Sequence, residues 1–405
     1  MRHSGRMKSP RDAAMHVARG LLDAGHETYF AGGCVRDRLL GLEPADYDIA
    51  TSAHPETVAA LFPHAKGVGA HFGVMLVPAG GRMIEVATFR SDGTYEDGRR
   101  PREVSFGSAR ADALRRDFTI NGLFEHPDSG LVIDFVGGRE DLDAGVLRAI
   151  GVAEERIEED RLRMLRAVRF SARFSLEIAP STGEAITVRA DRLDGVSRER
   201  VGHELRRMLA HSTRAVAAEL AEKLRLDHSM LGSSRSGRGL RRLSGLGDEV
   251  DWIDGLAAWE IDRGTAGDQG SIRRLGEGLI LSNREVEDLE SLLELRRTLL
   301  DQWSHLPLAA RKRLAGRKQF ERALLIAGLD QPDRVEGIGL EFQGFRREGL
   351  LPDAFIGGDD LIEAGLVAGP EFKAILEATY DAQLEGRVHD RGSALAFALR
   401  WEREG

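Results

Sequence analysis

The sequence predicts an α+β protein, in which a small mixed domain with one largely antiparallel sheet precedes a long all-helical part. Up to about residue 150, short runs rich in β-branched and aromatic residues alternate with turns. From about residue 157 onward, apolar residues recur with a helical period instead. A glycine- and serine-rich stretch at 232–239 is typical of a flexible linker, and it predicts a boundary inside the helical part.

Extended patterns predict strands at 28–31, 47–50, 72–77, 83–89 and 131–135, and Gly80-Gly81 predicts a hairpin turn. Helical patterns in the same region lie at 10–24, 36–40 and 55–62. The helices predicted after residue 157 include 197–210, 214–223, 283–300, 319–327 and 371–386.

Composition indicates an ordinary globular protein of several domains. The 405 residues exceed the size of one small core, and 42% hydrophobic with 30% charged side chains is a typical balance. No apolar run reaches the roughly 18 residues that cross a bilayer. Cys34 is the only cysteine, which excludes an intramolecular disulfide and a cysteine-based zinc site. We therefore expect a cytoplasmic protein.

The net charge of -9 disfavours nucleic-acid binding by the chain as a whole, but the charge is unevenly distributed. Residues 1–150 contain 18 Lys and Arg against 21 Asp and Glu, whereas residues 156–214 contain 13 Arg against 9 acidic residues. This locally basic segment is compatible with binding a compact RNA. A solvated helical surface has the same composition, so the alternative stays open.

The most informative stretch joins a glycine turn to two carboxylates. Gly32 and Gly33 follow the first predicted strand and let backbone N–H groups approach a phosphate, with a helix beginning near residue 35. Arg36 can add a charge-assisted hydrogen bond. Asp46 and Asp48, two residues apart on the second predicted strand, point to the same face. Two such carboxylates can bind Mg²⁺ for phosphoryl transfer, so the sequence predicts a nucleotidyltransferase.

Glu85 lies between Ile84 and Val86 in the middle of a predicted strand, where a charge is unexpected. It is a candidate third carboxylate of the metal site. The alternative is an edge-strand position that faces solvent.

Arg115, Arg116 and Asp117 come directly before a short polar and apolar run. Two arginines followed by an acid can bind a triphosphate and a ribose hydroxyl. The same residues also fit an ordinary helix N-terminus.

Asp160, Arg163, Arg166 and Arg169 recur every three residues, which predicts that they share one helix face. The carboxylate of Asp160 can accept from the exocyclic amine of C or A, while Arg163 donates to the adjacent ring nitrogen. U and G present a carbonyl there and would be repelled. The alternative is a salt bridge between residues i and i+3 on a surface helix.

Together and in this order, these segments resemble the class II tRNA nucleotidyltransferase and bacterial poly(A) polymerase family, which belongs to the DNA polymerase beta-like superfamily. The matching segments are GGCVRD with DYD, RRDFTIN, DFVGGREDL at 134–142, EDRLRMLRAVRF at 159–170 and RERVGHELRRML at 198–209. The resemblance implies a catalytic polymerase-beta-like head at 1–150 and a nucleotide-selecting helical neck at 151–215. It further implies a helical body at 216–345 and a tRNA-binding helical tail at 346–405.

The resemblance also implies the roles of individual residues. Asp46 and Asp48 would be catalytic and bind Mg²⁺, and Asp117 is similar to a ribose-contacting acid. The remaining implied contacts to the nucleotide, through its base or its phosphates, are those of Gly33, Arg36, Arg116, Glu159, Asp160, Arg163, Arg166 and Arg169.

The implied reaction is template-independent addition of C and A to the 3′ end of tRNA, from CTP and ATP, with release of pyrophosphate. Residues 89–101 resemble a flexible loop that CC-only enzymes lack, which disfavours a CC-only product. The extra basic C-terminal tail of the poly(A) branch is absent from the sequence. Addition of the full CCA and of the terminal A alone both stay open. A non-catalytic RNA-binding protein and a small-molecule nucleotidyltransferase are alternatives from other classes.

Overall fold

The computed structural model describes residues 9–69, 73–92, 104–232, 239–266 and 269–404. Most of the predicted linker at 232–239 and of the loop at 89–101 therefore lies outside the described residues. The chain folds as two compact units, Met1–Ser233 and Ser234–Gly405. The finer division into head, neck, body and tail stays a prediction.

The first unit contains the β structure. Its strands are β1 Thr28–Ala31, β2 Ile49–Thr51, β3 Lys66–Gly69, β4 Val74–Ala79, β5 Arg82–Thr88, β6 Arg90–Asp92, β7 Val104–Phe106, β8 Leu123–Glu125, β9 Val132–Asp134, β10 Val146–Leu147 and β11 Glu177–Ile178. Its helices are α1 Pro10–Asp23, α2 Gly33–Leu39, α3 Pro55–Leu61, α4 Ala109–Leu114, α5 Gly138–Asp143, α6 Ala153–Glu159, α7 Arg163–Phe174, α8 Pro180–Val188, α9 Arg198–Leu209, α10 Arg214–Lys223 and α11 Asp227–Leu231. Short 3-10 helices lie at Thr119–Asn121 and Ala190–Gly195.

Seven strands form the main sheet in the order β3-β4-β5-β2-β1-β8-β9. Its neighbouring strands are antiparallel except for β2 and β5, which run parallel. The predicted hairpin is confirmed, because Gly80 and Gly81 connect β4 to β5 with φ of 57° and 78°. The largely antiparallel sheet predicted from the sequence is thus confirmed.

Two predicted element boundaries near the glycine turn are wrong. Strand β2 begins at Ile49, so Asp46 and Asp48 precede the strand instead of lying on it. The Asp48 carbonyl still accepts from the Ala31 N–H over 3.0 Å, which joins this segment to the edge of β1. Helix α2 begins at Gly33, earlier than predicted, because the backbone of Gly32 turns the chain directly from β1 into the helix.

Helix α7 forms the centre of the helical part of the first unit. It packs against α6, α9 and α10. Met164, Leu165 and Val168 are completely buried, as the apolar period of this segment predicts. The opposite face presents arginines, and this division determines which side of α7 is available to a ligand.

The described residues of the second unit form helices joined by turns, without a strand. Its helices are α12 Arg241–Gly245, α13 Trp252–Arg263, α14 Gln269–Leu279, α15 Asn283–Asp301, α16 Leu308–Ala315, α17 Phe320–Gly328, α18 Pro332–Glu348, α19 Gly358–Glu363, α20 Glu371–Leu384 and α21 Arg391–Glu404. All four tryptophans of the chain lie in this unit, and Trp259 and Trp303 are buried in it. In the described part of the chain, no helix is both long enough and apolar enough to cross a membrane.

Candidate active site

The glycine turn after β1 has a geometry that requires glycine at its first position. Gly32 has φ 69° and ψ -118°, and its N–H donates to the Leu123 carbonyl over 2.9 Å. A Cβ at this position would lie 2.7 Å from Nη1 of Arg116. The missing side chain therefore provides the space into which Arg116 extends.

Cys34 follows in the first turn of α2 and points into the protein. It is 5% exposed, and its thiol donates to the Ala31 carbonyl over 3.5 Å. Burial, followed by the nearby charge of Asp48, raises the pKa of Cys34 to about 12. The thiol is thus a packing group at the base of the turn.

Arg36 lies on the next turn of α2 with its guanidinium group fixed by the protein. Nε and Nη2 donate to Oδ1 of Asp37 over 2.8 and 2.5 Å, and Nη1 donates to Oδ1 of Asn121 over 2.6 Å. The guanidinium carbon lies 4.2 Å from the ring centre of Phe174 and 5.1 Å from that of Phe170. Burial lowers the pKa of Arg36, and Asp37 opposes this effect. The side chain is buried and held in one orientation.

A chain of hydrogen bonds continues from Arg36 to α7. Nδ2 of Asn121 donates to Oδ1 of Asp117 over 3.0 Å, and Nε of Arg166 donates to Oδ2 of Asp117 over 2.8 Å. Burial alone would raise the pKa of Asp117, but Arg166 and the bond from Asn121 outweigh it and lower the pKa to about 2. Asp117 thus links the glycine-turn helix to α7 as a buried carboxylate.

Three carboxylates lie together beside the turn. Asp46, Asp48 and Glu85 line one cavity of 370 Å³. Glu85 comes close because β2 and β5 run parallel with Ile49 opposite Val86, which places the preceding residues of the two strands side by side. Burial, followed by the charge of Glu85, raises the pKa of Asp48 to about 6. Asp48 is nevertheless exposed by accessible surface area, so its carboxylate lies among many protein atoms and still faces the solvent-filled cavity.

The donor chemistry of this cavity fits a hard divalent cation, since all three candidate ligands are carboxylates that repel one another. Among the described residues, however, no three metal-binding side chains are close enough to form a complete site. The assignment of Glu85 as a ligand stays a prediction.

A larger cavity of 610 Å³ opens between the sheet and α7. It brings most of the predicted site residues together in one place. The predicted residues that line it are Gly33, Arg36, Asp48, Glu85, Arg116, Asp117, Asp160, Arg163, Arg166 and Arg169. Asp46 instead lines the adjoining carboxylate cavity, and Glu159 lines neither cavity.

The prediction that Asp160 shares a helix face with the arginines of α7 is wrong. Asp160 ends α6 with an extended backbone (φ -149°, ψ 99°), and α7 begins only at Arg163. The alternative i,i+3 salt bridge between them does not form either. Oδ2 of Asp160 accepts from Arg200 over 2.7 Å, and Nη1 of Arg163 donates to Glu159 over 2.9 Å. Both side chains nevertheless line the large cavity.

Buried acids that the sequence analysis did not single out hold the arginines of the cavity. Asp112 is 1% exposed and accepts from both Arg115 and Arg116 at 2.6 to 3.1 Å. Glu204 is likewise buried and accepts from Nε of Arg169 over 2.6 Å. Each of these acids interrupts the apolar side of a helix, and this interruption was the feature of the sequence that could have revealed a buried acid. The result is a cavity with several guanidinium groups in fixed positions, suited to binding a triphosphate.

Comparison with known proteins places this geometry in a family. Residues 28–148 match the Poly A polymerase head domain. The CCA-adding enzyme of Geobacillus stearothermophilus is 34% identical over 406 residues, covering 95% of each chain. That of Lactiplantibacillus plantarum is 33% identical over 398 residues, covering 95% of this chain and 94% of its relative.

The chain belongs to the CCA-adding enzyme family. The crystal structure of the Bacillus stearothermophilus CCA-adding enzyme in complex with CTP is similar to it, with a TM-score of 0.81 and 29% identity, and the match covers 98% of this chain and 99% of that one. The predicted α+β fold class and nucleotidyltransferase activity are therefore confirmed at the level of the family. Nucleotidyltransferases of this family generally use a divalent metal ion.

Proposed function

We propose that this chain adds C and A to the 3′ end of tRNA, taking the nucleotides from CTP and ATP and releasing pyrophosphate. The observation that carries the proposal is the single cavity in which the glycine turn, the carboxylates and the arginines of α7 face one another. The names of the relatives, which are 34% and 33% identical over nearly the full chain, support the CCA product. A protein that only binds RNA would not need these fixed carboxylates and guanidinium groups together.

Asp46 and Asp48 are the proposed ligands of Mg²⁺, with Glu85 as a third candidate. The all-oxygen donor set and the raised pKa of Asp48, which reflects burial and the neighbouring carboxylates, support a divalent cation at this position. When bound, the ion would lower the pKa of the attacking 3′-hydroxyl and offset negative charge on the reacting phosphate.

Arg36, Arg116 and the N–H of Gly33 are proposed to bind the phosphates of the incoming nucleotide. Asp37 and Asn121 fix the orientation of Arg36, so that little side-chain entropy is lost when a phosphate binds. Arg166 and Arg169 add charge from α7 on the other side of the cavity.

Asp117 has limited capacity for a further partner. Its two oxygens already accept from the Phe118 N–H, Asn121 and Arg166. Nη2 of Arg166 also lies 2.7 Å from Oδ2, so these contacts occupy about all four lone-pair positions of the carboxylate, and a ribose hydroxyl would have to replace or share one of them.

Base selection is proposed to rest on Asp160 and Arg163. Each oxygen of Asp160 has one described partner, the Leu162 N–H or Arg200, and keeps a second lone pair for an exocyclic amine. Three N–H groups of Arg163 are used by Glu159 and by two backbone carbonyls, and within the described residues Nε–H has no partner. Glu159, which does not line the cavity, acts by orienting Arg163.

We also propose that the four-part division into head, neck, body and tail applies to this chain, and that it works in the cytoplasm. The two compact units and the head-domain match over residues 28–148 support the first point. The single cysteine and the nature of the substrates support the second.

The test is a primer-extension assay with Mg²⁺ and three tRNAs that end before CCA, after C and after CC. We expect all three to be extended to CCA when CTP and ATP are both supplied. Extension of only the CC-ended tRNA by one A would instead identify an A-adding enzyme, and a long A tract on any RNA would identify a poly(A) polymerase. No incorporation at all would refute the proposal.

Variants of the carboxylates separate chemistry from binding. Asp46→Asn and Asp48→Asn should each lower the rate of incorporation by about 10³-fold or more, because the cation loses a charged ligand. The dissociation constant for tRNA should change by less than about twofold in both variants, since phosphate contacts dominate RNA affinity. A comparable loss of tRNA binding would show that these residues support the fold or the RNA contact instead of the reaction.

A further inference from the structure

A second cavity of 350 Å³ adjoins the large one within the first unit. We call it the arginine pocket, after Arg169, Arg173 and Arg207 on its rim. The same three arginines also line the large cavity, so the two cavities share a border. Of the described residues that line the arginine pocket, none is a carboxylate. The pocket thus lies next to the proposed reaction centre and is chemically distinct from it.

The floor of the arginine pocket is apolar. Ala172 of α7, Met208 of α9 and Ala217 of α10 line it, and each is 3% exposed or less. The methionine thioether makes favourable contacts with aromatic rings, and the two alanines leave room for a flat group. This part of the pocket fits a nucleobase or the carbon face of a ribose.

The rim of the arginine pocket carries more positive charge than the protein neutralises. Arg169 donates to the buried Glu204, and Arg207 approaches the same carboxylate only to 3.9 Å. Arg173 is exposed and has no carboxylate partner within the described ranges, and its guanidinium carbon lies 5.1 Å from the ring centre of Phe174. One carboxylate therefore faces three guanidinium groups, which favours a bound anion such as a phosphate.

An apolar floor beneath a cationic rim fits one nucleotide unit, with its base on the floor and its phosphate at the rim. A volume of 350 Å³ is at the small end of ligand pockets and can hold one such unit. We propose that the arginine pocket binds one nucleotide of the RNA acceptor strand, upstream of the 3′-hydroxyl that reacts. This inference rests on the proposed function, and it deepens it by assigning a site for the RNA strand.

The acceptor strand is favoured over the triphosphate of the incoming nucleotide for two reasons. A triphosphate has no apolar part for the floor formed by Ala172, Met208 and Ala217. The large cavity, moreover, already offers the triphosphate the glycine turn, Arg36 and Arg116, next to Asp48. A strand whose 3′ end reaches Asp48 must pass through neighbouring space, and the arginine pocket provides that space with matching chemistry.

The test measures two dissociation constants on enzyme that also carries Asp46→Asn, which should slow turnover by about 10³-fold. One is for tRNA ending in CC and the other for CTP alone. The double variant Arg173→Ala and Arg207→Ala should weaken tRNA binding by about tenfold or more and reduce the salt dependence by roughly one released ion per lost contact. Binding of CTP should change by less than about twofold. Arg139→Ala, an exposed arginine on α5 outside both cavities, should leave both constants unchanged.

A second set of RNAs tests the floor of the pocket. An abasic nucleotide is placed in turn at each of the last three positions of the tRNA. At one of these positions the abasic nucleotide should weaken tRNA binding by about tenfold in the enzyme that carries Asp46→Asn alone. In the double variant the same abasic tRNA should lose much less affinity, because the missing base and the missing arginines remove the same contact.

Equal weakening of CTP and tRNA, weakening of CTP alone, or no abasic position that couples to the double variant would each overturn the inference. These are binding measurements, so their outcome is separate from the incorporation assay. Failure of incorporation by the wild-type enzyme would refute the proposed function instead.

Discussion

Arg36 and Arg116 reach the large cavity with their guanidinium groups already fixed by other side chains. Asp37 and Asn121 orient Arg36, and the buried Asp112 orients Arg116. Binding a phosphate then costs less conformational entropy than ordering two free arginines would. At the scale of single residues, the site is organised before any ligand arrives.

Substitution of Gly32 tests whether the glycine turn requires a residue without a side chain at this position. We expect Gly32→Ala to destabilise the first unit by about 1–3 kcal/mol, because φ of 69° with ψ of -118° disfavours a side chain and the Cβ would clash with Arg116. Displacement of Arg116 should also raise KM for CTP. Unfolding in urea followed by circular dichroism, together with initial rates, measures both effects.

Gly25→Ala is the matched control for this variant. Gly25 also has a positive φ, 85°, but a Cβ there meets nothing within 4 Å. Gly25→Ala should lower the free energy of unfolding by about 1 kcal/mol and leave KM for CTP unchanged. Equal effects of the two substitutions on KM would show that Arg116 does not depend on the space at Gly32.

Asp117 gives a prediction about pH. Its pKa in the folded protein, about 2, lies below the ordinary value of 3.8, so its ionised form stabilises the fold by about 2 kcal/mol. That contribution is complete above about pH 4 and is lost as the pH falls towards 2. The difference in unfolding free energy between wild type and Asp117→Asn should therefore be largest near pH 6 and narrow by about 2 kcal/mol near pH 2.

Asp128→Asn provides the comparison, since Asp128 pairs with Arg19 at the surface with both side chains about half exposed. Its effect on the unfolding free energy should be small, because both partners of this surface pair are exposed to solvent. If the difference in unfolding free energy between wild type and Asp117→Asn stays constant with pH, that result would contradict the stabilisation of ionised Asp117 by Arg166.

Residue types in sequence order were sufficient to predict most of the lining of the large cavity, including Gly33, Arg36 and Asp48. The partners of those residues were not predicted, and the reason is physical. Asn121 meets Arg36 across 85 positions, and Glu204 meets Arg169 across 35. Such pairs form through tertiary packing, which local pattern does not encode.

At the scale of elements, helix α7 couples the arginines to the glycine turn through aromatic rings. Phe170 and Phe174 stack with ring centres 6.2 Å apart, and both lie beside the guanidinium of Arg36 on α2. Cation–π contacts of buried groups contribute about 2 kcal/mol. The orientation of Arg36 therefore depends on helix α7, whose first residue, Arg163, lies 127 positions after Arg36 in the chain.

Phe174→Leu removes this ring while keeping an apolar side chain. We expect KM for CTP and ATP to rise by about tenfold, since about 1.4 kcal/mol of orientation energy corresponds to a factor of ten. Phe174→Tyr keeps the ring and should remain within about twofold of wild type. Equal effects of the leucine and tyrosine variants on KM would mean that the ring contributes only volume.

Element boundaries were less predictable than element types. The periodic pattern continued through Asp160, yet the chain bends there because Asp160 caps the end of α6 and bonds to Arg200. Strand β2 likewise begins after Asp48, where its pairing with β1 and β5 begins. In the first case a side-chain partner determines the boundary, and in the second the backbone pairing between strands determines it.

At the scale of the whole molecule, the two units have separate buried cores and different optical signals. All four tryptophans lie in the second unit, so tryptophan fluorescence reports on that unit alone. Leu165→Ala, at a fully buried position of α7, should destabilise the first unit by about 2–5 kcal/mol. We expect part of the circular dichroism signal to melt earlier while the fluorescence midpoint stays unchanged.

Leu299→Ala, at a buried position of α15 in the second unit, should have the opposite effect and lower the fluorescence midpoint. Equal shifts of the fluorescence midpoint by both variants would show that the two units unfold together.

The sequence predicted the change from mixed to helical structure, because the period of apolar residues changes there. It did not predict that the helices up to Leu231 fold with the sheet, since that depends on which apolar faces meet.

The buried thiol of Cys34 has a practical consequence for labelling chemistry. Because the only cysteine is inaccessible and its pKa is about 12, maleimide reagents should leave the folded protein unmodified. A cysteine introduced at exposed Ser212, between α9 and α10, then becomes a unique attachment point without any prior cysteine removal. The two chain neighbours of this position, His211 and Thr213, line the arginine pocket, so a dye there can follow the arrival of an RNA strand in real time.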